Sequence, residues 1–214
     1  MKVQAPQLPP SLVKDLNLVT LLQSDEKVDS ASIANFDASI IKVNAPSIHD
    51  SRLEKVTFVK SRMHGSDFLN LKLTKCDLIA ADLSRASWHR IAINQSRASG
   101  AQLQNSTLRD ITFNDCKLDL VNFRMSKIKN VIFKDCNLGE ADFYEAKLSN
   151  VSFENCKLDK TSFSSVSLKN VDFRTSNLNE IEGLDSLSGA IIDSTQLISL
   201  APRLASVIGI EVKD

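Results

Sequence analysis

The apolar residues of this chain recur every five positions, without a break, from about residue 31 to residue 180. In blocks such as 116–120 and 121–125 the third position is large and apolar, the first is usually small or β-branched, and the other three are mostly polar. In this register every third position from Ile33 to Leu178 is apolar. Neither an α-helix, with its period of 3.6 residues, nor a flat strand keeps such a pattern in register over this length. The pattern therefore predicts a chain that turns a corner every five residues.

The number of corners in one coil follows from residues that recur at a longer spacing. The cysteines, and a set of fifth-position asparagines, are separated by four blocks or a multiple of four blocks: Cys76, Cys116, Cys136, Cys156, Asn70, Asn130, Asn150 and Asn170. From Phe113 to Phe173 the third positions alternate between phenylalanine and leucine or isoleucine. A coil of four blocks has four sides, and we expect phenylalanine on one opposed pair. The repeats then make about 7.5 coils, a rod of roughly 36 Å at ~4.8 Å per coil.

Two blocks carry a resemblance to a known family. Residues 81–85 (ADLSR) and 141–145 (ADFYE) resemble the A-[DN]-L-x-x consensus of pentapeptide-repeat proteins. The resemblance implies an all-β solenoid, a right-handed quadrilateral parallel β-helix with short terminal caps. It also implies a range of functions, because the best understood members resemble duplex DNA and bind type II topoisomerases. Those members include quinolone-resistance proteins and a mycobacterial gyrase inhibitor.

Covers are expected at both open ends of the solenoid, since bare terminal coils expose apolar side chains and unpaired backbone groups. We predict an N-terminal cap over 1–30, the β-helix over 31–180 and a C-terminal cap over 181–214. The apolar residues between Leu12 and Leu22 fit a short helix or an extended segment.

In the C-terminal cap we expect a helix capped by Asp193 or Ser194, interrupted at Pro202 and finished near Gly209. The tail 210–212 would add a strand. The cap either plugs a monomer or forms a homodimer, as the resemblance implies.

Charge and composition limit the classes of partner. Lysine plus arginine equals aspartate plus glutamate at 26 each, so no global field attracts nucleic acid or anionic lipid. The N-terminus lacks the apolar region of a signal peptide, and no apolar run is long enough for a membrane span, so we expect a cytoplasmic protein. Four cysteines in a chain of 214 residues do not indicate a secreted disulfide framework.

The sequence contains no motif for catalysis or metal binding. The cysteines stand at first positions, where small buried side chains are expected, and His49, His64 and His89 stand at fourth positions that should face solvent. We find no nucleophile with a base, no carboxylate pair in a pocket and no glycine-rich phosphate loop. The sequence predicts no catalytic, cofactor-binding or metal-binding residue, no small-molecule substrate and no enzymatic activity.

One side of the coil is uneven in charge. The blocks centred on Ile48, Phe68 and so on to Leu168 project six basic residues, which we call the basic stripe: Arg90, Arg109, Lys127, Lys129, Lys147 and Lys169. Against them stand Asp50, Asp67 and Asp110. The stripe is either a binding surface for phosphates or acidic protein, or ordinary solvated charge.

Three smaller features complete the surface. Glu140, Asp142 and Glu145 form the one small acidic cluster, and Ile40, Val59 and Ile79 form an apolar patch that the N-terminal segment is expected to cover. Trp88 and Ala98 replace the usual third-position residues in adjacent coils, on opposite sides, and we interpret them as compensating volumes.

Two functions remain. The first is a non-catalytic protein-binding or scaffold solenoid, and the alternative is a modulator of DNA gyrase or another topoisomerase, which rests on the resemblance. A supercoiling assay with and without a fluoroquinolone separates the two.

Overall fold

Four-sided coils stack in parallel along the whole repeat region. The computed structural model describes residues 2–14, 16–24, 27–211 and 213. Equivalent residues of successive coils are register partners on neighbouring strands, as Ile111 and Val131 are, and Val131 pairs in turn with Val151. The predicted four-sided parallel β-helix, with a C-terminal helix, is confirmed, and it has about eight turns. The boundaries at residues 30 and 180 stay a prediction.

Strands occupy two of the four sides of each coil. The elements are, in chain order, α1 (Leu18–Gln23), β1 (Val28–Asp29), β2 (Ser32–Ala34), β3 (Ser47–His49), β4 (Arg52–Glu54), β5 (Asp67–Thr74), β6 (Ser87–Asn94), β7 (Thr107–Asn114), β8 (Lys127–Lys134), β9 (Lys147–Glu154), β10 (Ser167–Asp172), a 3₁₀ turn (Leu184–Ser186), β11 (Ala190–Ile191) and α2 (Ser194–Val207). Each eight-residue strand crosses one corner. The other two sides are joined by single bridges, such as Lys117 with Asn137 and Asn122 with Asp142.

The corners are made by a left-handed backbone at every fifth position. From Ser30 to Asn170 each fifth residue has φ between 49° and 71°, and only Gly65 and Gly100 among them are glycine. Left-handed φ is unfavourable for most L-residues, least so for asparagine and aspartate, which explains why these two recur there. Ile40, with φ of 63°, is the β-branched exception.

The core is filled by columns of side chains that repeat once per coil. Phe113, Phe133, Phe153 and Phe173 form one phenylalanine column, and Phe123, Phe143 and Phe163 form the opposite one. Within each column the ring centroids lie 4.8 to 5.1 Å apart and the planes are within 12° of parallel. Rings from the two columns meet edge to face. The expected alternation of sides is therefore confirmed, and each aromatic pair adds about 1 kcal/mol beyond its burial.

Side chains at the first position of a block also form hydrogen bonds with the backbone of the previous coil. The Cys136 thiol donates to the carbonyl of Phe113 at 3.6 Å, and the Ser126 hydroxyl donates to that of Leu103 at 2.7 Å. In both cases the acceptor lies at the centre of a block in the previous coil. Ser126 also accepts the backbone N–H of Ser106. Cysteine, serine and threonine share this position because each is small and carries a donor.

The N-terminal cap contains both an extended residue and a helix. Val13 pairs in parallel with Ala31 of the first coil. Helix α1 follows, begun by Asn17, whose side chain accepts from the Thr20 N–H, and it buries Leu18 and Leu22.

The C-terminal cap is a helix held by side-chain hydrogen bonds to the last coils. Asp193 is the N-cap of α2 and forms a capping box with Gln196. The Gln196 amide donates to the Phe173 carbonyl at 2.7 Å, and Arg203 donates to the Ile181 carbonyl at 2.6 Å. Leu200 packs inward and is buried. These contacts satisfy carbonyls that no further coil covers.

Two expectations about this cap were wrong. Helix α2 continues through Pro202 instead of being interrupted, and it ends at Val207 before Gly209 as expected. Ile210 and Glu211 form no strand, and Val212 lies outside the described residues.

The irregular pair Trp88 and Ala98 leaves a small gap. Trp88 packs edge to face against Phe68 at 5.1 Å, but its indole N–H has no hydrogen-bond partner. A cavity of about 20 Å³, lined mostly by apolar side chains, remains beside Ala98, between Leu78 and Leu118 of the same column. The large Trp88 side chain therefore fills only part of the space that the small Ala98 side chain leaves.

We expect Ala98→Val to raise the free energy of unfolding by about 1 kcal/mol, because its added methyl groups fill this gap. Thermal or urea denaturation measures the change. Ala146→Val is the control at a fully buried first position, where overpacking should lower stability. A loss of stability at position 98 would contradict the prediction.

We also expect Ile40→Asn to stabilise the rod by about 1 kcal/mol, because asparagine tolerates left-handed φ better than a β-branched residue. The same denaturation experiment tests it. Ile40→Val keeps the branch and should change little. Equal effects of the two substitutions would show that the corner conformation is not the cause.

Candidate binding face

The basic stripe lies across five neighbouring strands, β6 to β10. Lys129 is the register partner of Arg109 on one side and of Ser149 on the other, and Ser149 in turn pairs with Lys169. Lys127 pairs with Lys147. Neighbouring strands are about 4.8 Å apart, so Arg109 lies beside Lys129 and Lys127 beside Lys147, whereas Ser149 separates Lys129 from Lys169.

Four members of the stripe are free. Lys127, Lys129, Lys147 and Lys169 are all exposed, and none forms an ion pair with any residue that the structure describes. Like charges directly opposite one another on neighbouring strands are destabilising, and Lys127 beside Lys147 is such a pair. The four lysines form a concentrated positive surface on β8, β9 and β10.

The other two members are engaged with the rod itself. The Arg90 Nε donates to Asn70 Oδ1 at 2.6 Å. Arg109 Nε lies 3.3 Å from Asp110 Oδ2. The sequence grouped all six, whereas the structure separates two paired arginines from four free lysines.

Two ladders of side-chain hydrogen bonds run along the corner beside the stripe, one from Asp50 to Arg90 and one from Asp110 to Asn170. We call the whole set the corner column, and it consists of Asp50, Asn70, Arg90, Asp110, Asn130, Asn150 and Asn170. Each asparagine amide donates to the equivalent residue of the previous coil, over 2.6 to 3.2 Å. The sequence identified only the asparagines. Asp50, Asp110 and Arg90 stand at the same spacing of four blocks as the asparagines, so this spacing could have placed them in the corner column as well.

The histidines differ from one another in exposure. His64 is exposed as expected, but the His49 side chain is only 13% exposed and lies 2.8 Å from Asp67. The expectation that His49 faces solvent was wrong, because Asp67 on the next strand holds its ring against the rod. His89 Nε2 is 3.7 Å from Asp110, and burial, followed by the charges of Arg90 and Arg109, lowers the pKa of His89.

The acidic cluster is partly neutralised. Arg124 lies 3.0 Å from Asp142 and stacks over the Tyr144 ring, 4.4 Å from its centroid. Arg124 belongs to the previous coil, and the sequence analysis missed it. Of the three carboxylates, Asp142 is thus neutralised, while Glu140 and Glu145 are exposed and form no ion pair among the described residues.

The apolar patch is not covered as expected at Ile40, which is 69% exposed. Val59 and Ile79 are half-buried. The N-terminal segment instead pairs with Ala31 and reaches Asp110, on the side of the basic stripe.

Three of the four stacked thiols have a raised pKa, whereas contact with Cys136 lowers the pKa of Cys156. Contact with Cys136 and then burial raise the pKa of Cys116, and burial raises that of Cys76. All four cysteines are free and buried. Within the described part of the chain, no group of three or more metal-ligating side chains is arranged to hold a metal.

A family model described as a pentapeptide repeat region matches residues 66–139 and 106–182, which together cover more than half of the chain. The chain belongs to the pentapeptide-repeat family. No curated protein matches this pentapeptide-repeat protein in sequence.

Solved structures resemble it at low identity. A trypsin-treated variant of QnrB1, a plasmid-mediated fluoroquinolone resistance protein, is 15% identical over 88% of this chain and 99% of that chain, with a TM-score of 0.49. HetL, involved in heterocyst differentiation regulation in the cyanobacterium Nostoc sp. strain PCC 7120, is 15% identical over 77% of this chain and 84% of its own, with a TM-score of 0.47.

Among the described residues, no helix combines the length and the hydropathy that crossing a bilayer demands.

Proposed function

We propose that this pentapeptide-repeat protein is a non-catalytic binding protein that holds an acidic surface of another protein against Lys127, Lys129, Lys147 and Lys169. The observation that carries the proposal is the exposure of these four lysines on the neighbouring strands β8, β9 and β10, with Lys127 directly opposite Lys147 and no ion pair to any of the four among the described residues. Carboxylates of a partner would relieve the repulsion between them.

The rod favours binding because it is already ordered. Continuous strands fix the spacing of the lysine Cα atoms, and the ladder from Asp110 to Asn170 supports the adjacent corner. A preformed surface loses less conformational freedom on association than a loop does. The attraction is electrostatic, so it should weaken as salt rises.

The charge arrangement favours this function over modulation of gyrase by imitation of DNA. Imitation needs a dense negative surface, whereas the free charges of this face are positive. The small acidic cluster is partly neutralised by Arg124 at Asp142.

Charge reversal at Lys127, Lys129 and Lys147 tests the proposed function. The triple change to glutamate should weaken binding of labelled poly-L-glutamate about tenfold or more, and the affinity of the unaltered protein should fall with salt. Fluorescence anisotropy measures both.

The matched control reverses three exposed lysines on other parts of the coil, Lys134, Lys157 and Lys160. If both triple variants lose affinity equally, the attraction is general and the proposed face is wrong. Circular dichroism establishes that each variant is folded.

We further propose that a second copy of the chain packs against the outer face of α2. Its inner face is used by Gln196 and Leu200 against the rod, while Ile198 is 75% exposed and Ile208 at the helix end is 72% exposed. Leu197 is also exposed, and this face carries no charge. An apolar helix face at the end of a rod suits a two-fold contact between identical surfaces.

The unaltered protein should therefore be a dimer at high micromolar concentration, and Ile198→Glu should convert it to a monomer because the contact would bury a charge. Sedimentation equilibrium distinguishes the two states. Ser199→Glu, at an exposed position of α2 on the opposite side from Leu197 and Ile208, should leave the dimer intact. Monomer alone in the unaltered protein would refute the contact.

A further inference from the structure

Residues 2–10, which we call the strap, lie along the corner beside the basic stripe. The strap is anchored at two places. Val13, just after it, donates its N–H to the Ser30 carbonyl at 2.7 Å, and Gln4 donates its N–H to Asp110 Oδ1 at 3.4 Å. Ser30 and Asp110 belong to the same corner, four coils apart. The strap therefore spans the coils between them.

Burial marks the place where the strap rests. Fifth positions from Ser30 to Asn170 are exposed or half-buried, with the single exception of Asp110, whose side chain is 1% exposed. Asp50 and Asn130, in the same corner column, are half-buried. Within the strap, Pro6 is buried. The strap thus covers the rod at this corner, and we call the surface beneath it the groove.

The strap is nevertheless held by few polar contacts. The bond from Gln4 is the one hydrogen bond between residues 2–10 and the rod among the described residues, and the strap forms no strand. Asp110 Oδ2 is buried without a hydrogen bond, although Arg109 and His89 are near it. A buried acceptor without a donor is costly, and a better-placed donor would stabilise it. The strap therefore leaves Asp110 Oδ2 without a hydrogen-bond donor.

The direction of the strap points toward the free lysines. Reading backward from Val13 to Gln4, the chain moves from the coil of Ala31 to the coil of Asp110. The next coils in that direction carry Lys127 and Lys147. An extended chain advances about 3.3 Å per residue, so two residues suffice to cross one coil.

We propose that this groove is a peptide-binding site. In exchange for the strap, it takes an extended, proline-containing segment of a partner whose N-terminal end carries acidic residues. The prolines would occupy the groove at the corner column, a backbone N–H would bond Asp110, and the acidic end would lie on Lys127, Lys129, Lys147 and Lys169. Proline-rich segments suit such a site because they are extended before they bind. The acidic part rests on the proposed function.

The experiment uses the full chain with the strap released by Pro6→Lys together with Leu8→Lys, because the new positive charges are repelled by the free lysines. The probe is a labelled synthetic peptide of the strap sequence, residues 2–11, with a run of glutamates added at its N-terminal end. Its matched control carries the same glutamates at the C-terminal end, where they would point away from the lysines. Fluorescence anisotropy gives the affinities.

The N-terminally acidic peptide should bind the released variant about tenfold more tightly than it binds the unaltered protein, whose own strap competes. It should also bind about fivefold more tightly than its control, and reversing Lys127, Lys129 and Lys147 should remove that difference. Asp110→Asn in the released variant should weaken both peptides.

Three results would overturn the inference: no binding of either peptide to the released variant, equal binding to the released and unaltered proteins, or equal affinity of the two peptides for the released variant. Poly-L-glutamate, titrated in parallel, separates this failure from that of the proposed function. If poly-L-glutamate binds the lysines while neither peptide enters the groove, the groove is wrong and the basic face stands. Circular dichroism of each variant shows that lost binding is not lost folding.

Discussion

Each coil of this protein is stable only because another coil lies on it. A single lap of the chain has no interior, and its side chains are buried by the equivalent side chains above and below. The stacked rings of Phe133 and Phe153, with centroids 5.0 Å apart, show this contact directly. The same dependence explains why both ends need covers and why α2 donates side-chain hydrogen bonds to the last coils.

The corners impose a second requirement. A left-handed residue every five positions costs conformational energy, and the fold recovers part of it through side chains that bond along the rod. At the four asparagines of the corner column one residue type meets both demands, since asparagine tolerates positive φ and its amide both donates and accepts. Asn130 and Asn150 illustrate this, each receiving a bond from one neighbour and giving one to the other.

The sequence predicted the fold well because its evidence is repeated in every coil. The period of five, the lap of four blocks and the alternating phenylalanine columns each rest on many residues, so a single irregular block such as that of Ala98 does not obscure them. Features that occur once were harder. Whether α2 would pass through Pro202 depends on contacts of the helix with the rod.

The site was predicted only in part for the same reason. Spacing placed the six cations on one side, but which of them are paired depends on neighbours such as Asn70 and Asp110. The burial of Asp110 could not be predicted, since it depends on the path of nonrepeating residues 2–10. The sequence of a nonrepeating segment does not indicate where that segment packs on the rod.

Hydrogen bonds that reach back into the previous coil, such as those of Cys136 and Ser126, have a consequence for how proteins of this kind change length. A donor at a first position meets its carbonyl only if every intervening lap is complete. Gain or loss of a few residues would shift the donors of the affected lap away from their acceptors, whereas gain or loss of a full lap leaves every pair intact. The rod can therefore lengthen or shorten in whole laps, and the distance between its lateral face and its terminal helix changes in fixed steps.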